Sequence, residues 1–358
     1  MKVKNSYHVI GLMSGTSLDG LDIAYASITC ASKWKAKVIQ GTTIRYNAAW
    51  KKKMSTAHLL SGEELLALHA AYGKFIGACC LDFIKEHKIK NLDLIASHGH
   101  TVFHQPHLGF TFQLGDGNTI HSITGMPVVY DFRSVDVTLG GQGAPLVPVG
   151  DRYLFSEYDV CLNLGGIANL SMEMKGARRA FDICFANMGL NYLMNKINKQ
   201  YDKGGAMAAK GKVDRILLQQ LRGSYQPWRK SRPSLGREGF EKEIQPLLDN
   251  EKILPEDRLR TFCESIAEEI ARAVPQTDGL LKLIATGGGA LNTFLVSLLS
   301  SKLKGKAKVI IPDRKIIEFK EALVFALLGV LRVRNEVNTL KSVTGAIKDS
   351  SGGIIVGL

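Results

Sequence analysis

The stretch VIGLMSGTSLDGLDIAYASI, residues 9–28, decides how this chain is read. A strand-like apolar run breaks near Ser14 into glycines, hydroxyls and carboxylates, and then resumes as a second apolar run. Glycine lets a backbone come close to a ligand, and free N–H groups beside hydroxyls make an anion-binding concavity. In this reading Gly15, Thr16 and Ser17 donate to phosphate oxygens, and Asp19 holds a magnesium ion through water. The competing reading is a plain hairpin in which Asp19-Gly20 makes the turn. A hairpin needs only that pair, and it leaves the Ser-Gly-Thr-Ser run at 14–17 unexplained.

The same theme, a strand ending in a glycine-rich polar turn, returns in VCLNLGGIANLS at 160–171 and in LIATGGGALNTF at 283–294. One such turn closes many hairpins. Three, spread along the chain, point to a nucleotide held in a cleft between domains. Neither the GxxxxGK[ST] loop nor GxGxxG occurs, which disfavours those two phosphate-binding classes.

A chain of 358 residues exceeds one ordinary core and predicts two domains. Mean hydropathy of +0.01 describes a globular protein. The net charge of +13 suits anionic partners such as nucleotides, acidic sugars or nucleic acid, and equally a solvated basic surface. Six cysteines without a CxxC pair predict reduced thiols and no metal framework. The apolar run near the N-terminus is too short for a secretion signal, so a cytoplasmic location is expected. The apolar stretches 65–84 and 322–333 read as core helices, because Lys74 interrupts the first and the second is too short to span a bilayer.

Strands are expected at 7–12, 93–97, 127–131, 160–164, 281–286 and 308–311. Leu65, Leu68, Tyr72, Phe75, Cys79 and Phe83 recur at helical spacing behind a Ser61–Glu64 capping box. A second helix carries Leu259, Phe262, Ile266, Ile270 and Val274. Strands interleaved with helices make an α/β protein.

The segment GLMSGTSLDGLDIA resembles the N-terminal signature of the anhydro-N-acetylmuramic acid kinase family, within the acetate kinase, sugar kinase and actin superfamily. Further matches follow in order along nearly the whole chain: SHGHTVFH at 97–104, FQLGDGNTI at 112–120, VVYDFRSVDVTLGGQGAPLVP at 128–148, NLGGIANL at 163–170, YDKGGAMAAKG at 201–211, PSLGREGF at 233–240, TGGGALN at 286–292, EALVFALL at 321–328 and SVTGA at 342–346. The resemblance implies two ribonuclease-H-like (actin-like ATPase) domains with ATP and sugar in the interdomain cleft. Domain I takes residues 1–135 plus 335–358, and domain II takes 136–334. It also implies a double reaction, in which water opens the 1,6-anhydro ring while the freed O6 takes the γ-phosphoryl group, giving N-acetylmuramic acid 6-phosphate in cell-wall recycling.

Carried over residue by residue, the resemblance makes Asp182 the base for the water, with Glu321 near that water and Arg133 on the phosphoryl group or the substrate carboxylate. It places ATP against Gly15, Thr16, Ser17, Leu18, Asp19, Gly20, Leu21 and Asp22, against Gly165 and Gly166, and against Gly287, Gly288, Gly289 and Asn292. It places the sugar near Ser14, His98, Gly99, Asp131, Gly143 and Ala144. The cofactors are then ATP and Mg2+, the latter at Asp19. The partners are the sugar and ATP, with no nucleic acid or membrane, and a homodimer in keeping with the family. One motif departs: the family's Phe-Asp-Thr-Gly-Pro-Gly-Asn reads Phe181-Asp182-Ile183-Cys184-Phe185-Ala186-Asn187 here. The departure leaves a pseudokinase, or a kinase for a different anhydro-sugar, as alternatives.

Read from the residues alone, Glu321 is a helix-start carboxylate set against the dipole, and Asp131 with Arg133 is a surface ion pair. His98, His100, His104 and His107 crowd one stretch but lack the carboxylate or cysteine complement of a zinc site. The segment QPWRKSRPSLGREGF at 226–240 mixes aromatics with basic residues, as single-strand nucleic-acid binders do, and is expected to be a mobile rim loop.

Overall fold

The computed structural model describes residues 4–15 and 18–358, so Thr16 and Ser17 of the first polar turn lie outside the described residues. In chain order the strands are β1 (Ser6–Ser14), β2 (Gly20–Cys30), β3 (Trp34–Arg45), β4 (Leu94–Ser97), β5 (His100–Gln105), β6 (Phe110–Leu114) and β7 (Val128–Tyr130). They continue with β8 (Val160–Leu164), β9 (Ile167–Met174), β10 (Ala177–Phe185), β11 (Leu281–Thr286), β12 (Ala307–Ile310) and β13 (Ile354–Val356). The chain divides into two compact units, one up to Phe155 joined by Phe319–Leu358, the other Ser156–Glu318. The expected boundaries at 135 and 335 therefore differ from these: residues 136–155 and 319–334 pack with the first unit. The reason is local, because helix Val147–Leu154 lies against the C-terminal helix, with Val324 Cγ2 only 2.3 Å from where a Cβ on Gly150 would stand.

Each unit contains a sheet with the same order of five strands, to which the first unit adds β13 at its edge and a separate β5-β6 pair. The first runs β13-β7-β4-β1-β2-β3 and the second β10-β9-β8-β11-β12. In both, three strands form an antiparallel meander (β1-β2-β3 and β8-β9-β10), and two more join the first strand in parallel (β4 and β7, β11 and β12). This is the ribonuclease-H-like α/β arrangement, present twice. The correspondence equates the polar turn after β1 with Gly165-Gly166 after β8, and Ser97-His98-Gly99 after β4 with the Gly287–Gly289 turn after β11.

β1 and β2 form a hairpin, with Ser14 paired to Leu21. Gly20 is not there for the turn: it already lies in β2, where a Cβ would come within 2.6 Å of the Ile44 carbonyl oxygen.

The long helix after the capping box runs Gly62–Glu86, and both halves of the box are formed. It is long and apolar enough by composition to cross a membrane. Its Leu68, Tyr72, Ile76, Cys80 and Phe83 are nevertheless buried in the core of the first unit beside Ile10, Leu12 and Ile95. In the second unit helix Pro255–Ala273 buries Leu259, Phe262, Ile266 and Ile270 against the meander, as its spacing predicts. Helix Arg314–Val333 contains the 322–333 core stretch and crosses β1 where Gly11 leaves no space, since a Cβ there would sit 1.9 Å from the Ala322 carbonyl oxygen. The helix kinks at Phe319 (φ −118°, ψ 15°), whose ring lies over Gly41 of β3.

Candidate active site

In the first unit Ser14, the last residue of β1, belongs to a chain of buried hydroxyls. Tyr46 Oη donates to Ser14 Oγ at 2.8 Å and meets Tyr72 Oη at 2.5 Å, and Ser14 Oγ lies 3.3 Å from His100 Nδ1. Burial lowers the His100 pKa to about 4, so the ring is neutral and Nδ1 can accept the Ser14 proton. Ser14, expected to face the sugar, is 1 % exposed and sits inside this network. Tyr46→Phe leaves Ser14 and Tyr72 each short of a partner and is expected to destabilise the protein by about 1–2 kcal/mol, measured by urea unfolding. Beyond Ser14, Gly15 and Leu18 are partly buried, Leu18 takes a left-handed φ of 57°, and the Asp19 side chain is exposed.

The turn after β4 supplies a second group. Gly99 (φ 73°) must be glycine, because a Cβ would fall 2.3 Å from the Leu114 carbonyl oxygen. Next to it His98 accepts from Arg133 Nε at 3.1 Å and Nη2 at 2.8 Å, while Arg133 Nη1 donates to the Gly143 carbonyl at 2.5 Å. Burial pushes His98 well below the usual imidazole range, and it pulls the guanidinium down to about 10 against the opposing pull of Glu321. Arg133 is therefore a cation held by neutral acceptors.

The surface-pair reading of Asp131 and Arg133 fails on this geometry. Asp131 turns its Oδ1 onto Ser134, accepting from Oγ at 2.6 Å and from the backbone N–H at 3.3 Å. Gly143 (φ 65°) is fixed in turn by its N–H to Asp136 Oδ2 at 2.8 Å, and Thr344 Oγ1 donates to Asp136 Oδ1 at 2.8 Å. The C-terminal SVTGA motif thus tethers the GGQG loop that carries Gly143 and the partly buried Ala144.

Glu321 does not start its helix, which begins at Arg314; it stands two residues past the Phe319 kink. Burial raises its pKa, Lys320 and Arg133 oppose that, and Asp22 adds to it. Lys320 itself is committed to Asp151 at 2.7 Å, both buried. Asp22 accepts from Thr43 Oγ1 at 2.6 Å, while Leu21 is a core residue. Glu321, Arg133 and Asp22 thus form one electrostatic group within the first unit.

In the second unit Asp182 sits on β10 where the register with β9 slips by a bulge between Asp182 and Cys184. Its Oδ2 accepts the Leu235 N–H at 2.9 Å, and Oδ1 carries no hydrogen bond among the described residues. Burial raises its pKa, partly offset by that bond. The replaced frame is core: Ile183, Cys184, Phe185 and Ala186 are all buried, and Phe185 packs edge-on against Trp228 and Phe240. Burial also pushes the Cys184 thiol well up, which makes it inert.

The 226–240 segment, expected as a loop, is helical at both ends with residues 232–236 irregular between them. Its aromatics fill this core, and Arg229 pairs with Glu269 through two hydrogen bonds of 2.8 and 2.5 Å. Residues 226–231 are the end of helix Arg215–Ser231.

The two glycine turns of the second unit meet. A Cβ on Gly287 (φ 79°) would lie 2.5 Å from Asn163 Oδ1, and one on Gly289 would lie 2.9 Å from the Leu164 carbonyl oxygen and 3.1 Å from Asn187 Oδ1. The carbonyls of Gly165 and Gly166 accept the N–H groups of Asn187, Ala186 and Met188. Asn292 caps helix Thr293–Lys302 through the Leu295 N–H. Its Oδ1 is thereby occupied, and Gly288 is exposed on the turn.

A cavity of about 100 Å3 lies beside His98, Gly99 and Asp131 in the first unit. It is also lined by His69, Ser97, Thr111, Gln113 and Tyr130, to which the sequence reading assigns no role although Ser97, Gln113 and Tyr130 lie within its motifs. Among the described residues no cluster of three metal-ligating side chains occurs, the 98–107 histidines included.

The anhydro-N-acetylmuramic acid kinase profile matches residues 7–357. An anhydro-N-acetylmuramic acid kinase of Gloeobacter violaceus is 35 % identical over 94 % of this chain and 95 % of its own length. Those of Francisella tularensis subsp. novicida (35 %, covering 95 % and 96 %) and Synechococcus elongatus (33 %, covering 94 % and 96 %) are similar. Among solved structures, component A of the Acidaminococcus fermentans (R)-2-hydroxyglutaryl-CoA dehydratase aligns at 12 % identity and TM-score 0.45 over 90 % of this chain and 96 % of that one. With matched motifs running from the first polar turn to the C-terminal tether, the chain belongs to the anhydro-N-acetylmuramic acid kinase family, phosphotransferases with an alcohol acceptor.

Proposed function

We propose that the protein phosphorylates 1,6-anhydro-N-acetylmuramic acid with ATP, opening the anhydro bridge with water and yielding N-acetylmuramic acid 6-phosphate for cell-wall recycling in the cytoplasm. The observation that carries this reading is Asp182. Its carboxylate is kept although four neighbours have changed, one oxygen is held by the Leu235 N–H, the other is unengaged among the described residues, and its proton affinity is raised by burial. Those are the properties of a general base. In this reading Asp182 takes the proton of the attacking water as it adds to C1, the C1–O6 bond breaks with its electron pair left on O6, and O6 bonds to the γ-phosphorus as the bond to the ADP oxygen breaks and ADP leaves. Arg133, a cation whose hydrogen-bond acceptors among the described residues are neutral, meets the charge on the transferring phosphoryl group or the sugar carboxylate. Glu321, its proton affinity also raised, orients the water.

The residues present suit Mg2+ bound mainly through phosphate and water. Asp19 is an exposed carboxylate beside the polar turn, and no three-ligand cage competes with it among the described residues. Bound there, the ion supplies charge neutralisation on the phosphates. ATP is assigned to the Gly15–Asp22 turn and to the converging 165–166 and 287–289 turns.

The buried Ile183–Ala186 run supports activity over the pseudokinase alternative, since the substitutions face the core. ADP release that depends on the anhydro-sugar is the expected result with purified protein and magnesium-ATP. Binding of both ligands without ADP release would instead establish the pseudokinase.

A further inference from the structure

Resting on the assignment of Asp182 as the base, we infer that Arg232 is a positioning residue: its guanidinium, stacked on Phe181, latches the 232–236 segment so that the Leu235 N–H holds Asp182 Oδ2 and Oδ1 is left for the water.

The backbone at Arg232 needs such a latch. Helix Arg215–Ser231 ends there in the left-handed region (φ 48°, ψ 53°), with the Arg232 N–H donating to the Trp228 carbonyl at 2.8 Å. Glycine takes that conformation at little cost, whereas a residue with a side chain rarely does, and Pro233 restricts the residue before it further. Strain of this kind persists where surrounding contacts over-determine it.

The contact that does so is the stack. The guanidinium lies over the Phe181 ring, 4.3 Å from its centroid, and half-burial strengthens the attraction of a cation to a ring face. Among the described residues it forms no hydrogen bond or ion pair. Glu269, the carboxylate that acts on it, is spent on Arg229. Phe181 immediately precedes Asp182 on β10, and Pro233, with its fixed φ, carries the chain from the stack towards Leu235. The segment is therefore anchored at both ends against two neighbouring residues of one strand, and the second anchor is the hydrogen bond to the base.

The other ionisable groups of this corner are Cys184, Tyr225, Arg229 and Glu269, with the exposed pair Arg237 and Glu241 beyond the loop. Burial keeps the Cys184 thiol and the Tyr225 hydroxyl protonated, and Arg229 and Glu269 neutralise each other. The Leu235 N–H bonds the ionised carboxylate, so its loss raises the Asp182 pKa.

Arg232→Gly removes the stack and leaves the left-handed turn unstrained, while Phe181→Leu removes the stack without changing any charge. Both, and the double variant, are read in two ways: the titration of the Asp182 carboxyl in the free protein by carbon NMR, its resonance assigned with Asp182→Asn, and kcat and KM from ADP release. Each single variant is expected to raise the Asp182 pKa and to lower kcat about tenfold with KM retained, the effect of a slightly misplaced catalytic group. The double variant should match either single one, because the latch is already open.

A pKa rise in Arg232→Gly alone would mean that the Arg232 charge acts on Asp182 directly, and additive losses in the double variant that the two residues act separately. Either result, or an unchanged titration or kcat in the single variants, overturns the latch and leaves the kinase reading intact. Equal pKa rises in all three variants, with no ADP release from wild type, do the reverse. An unchanged titration with no ADP release overturns both.

Discussion

Asp182→Asn is expected to lower kcat about 10³-fold while sugar binding persists, within the range that a positioned general base contributes. The amide keeps an oxygen for the Leu235 N–H, which now meets Asp182 Oδ2 at 2.9 Å, so the loop holding it should not move. The same carboxylate sets the pH dependence. As a base Asp182 must be ionised, and burial raises its pKa, so the acidic limb of kcat/KM should lie above the ordinary aspartate range and disappear in the variant.

Stability should move the other way. A carboxyl whose folded pKa exceeds its unfolded value stabilises the fold while both are protonated, and that contribution is lost as pH rises through the folded pKa. At neutral pH wild type has lost it, whereas the variant carries no charge to desolvate. Its melting temperature should therefore match or exceed that of wild type at pH 7, and the difference should vanish near pH 3. Scanning calorimetry at the two pH values checks the sign; a variant less stable at pH 7 would mean that the ionised carboxylate has a stabilising partner.

Arg133→Gln is expected to reduce kcat/KM by about 10²- to 10³-fold, the scale for removing one preorganised charge-stabilising donor. This half-buried cation donates to His98 and to the Gly143 carbonyl and makes no hydrogen bond to a carboxylate among the described residues. Such a clamp aims a charge at something outside itself. Arg133→Lys keeps the charge but cannot reach both acceptors through one ammonium, so it should recover less than a tenth of the loss. Full activity in the lysine variant would show that charge alone matters and that the clamp is incidental.

Much of the scaffold was legible because it is written in local patterns. The strands at 160–164 and 281–286 were read to the residue, since each is a short apolar run ended by glycine. The capping box placed the start of the Gly62–Glu86 helix, because both partners lie within four residues. β9 and β10 went unread: ARRAFDICF mixes charges with apolar residues, and its pairing is decided by β9 across the sheet. The helix carrying Glu321 starts earlier than the sequence suggests, because Arg314–Phe319 mixes three charged with three apolar residues and the chain kinks at Phe319 before the buried segment.

The same division runs through the site. Sequence by itself determined which side chains are available and where glycine interrupts a strand, since both are properties of neighbouring residues: the three polar turns, Asp182, Arg133 and the family motifs are all visible there. Tertiary structure alone decided what those groups do to one another. It turned Ser14 inward onto Tyr46, set Arg133 between His98 and Gly143 instead of Asp131, brought the 165–166 and 287–289 turns together, and converted the altered residues after Asp182 into core. The physical reason is that hydrogen bonding and desolvation act between residues far apart in the chain. Ser14 and Tyr46, His98 and Arg133, and Asp136 and Thr344 are separated by 32, 35 and 208 positions, and no local pattern encodes such pairs.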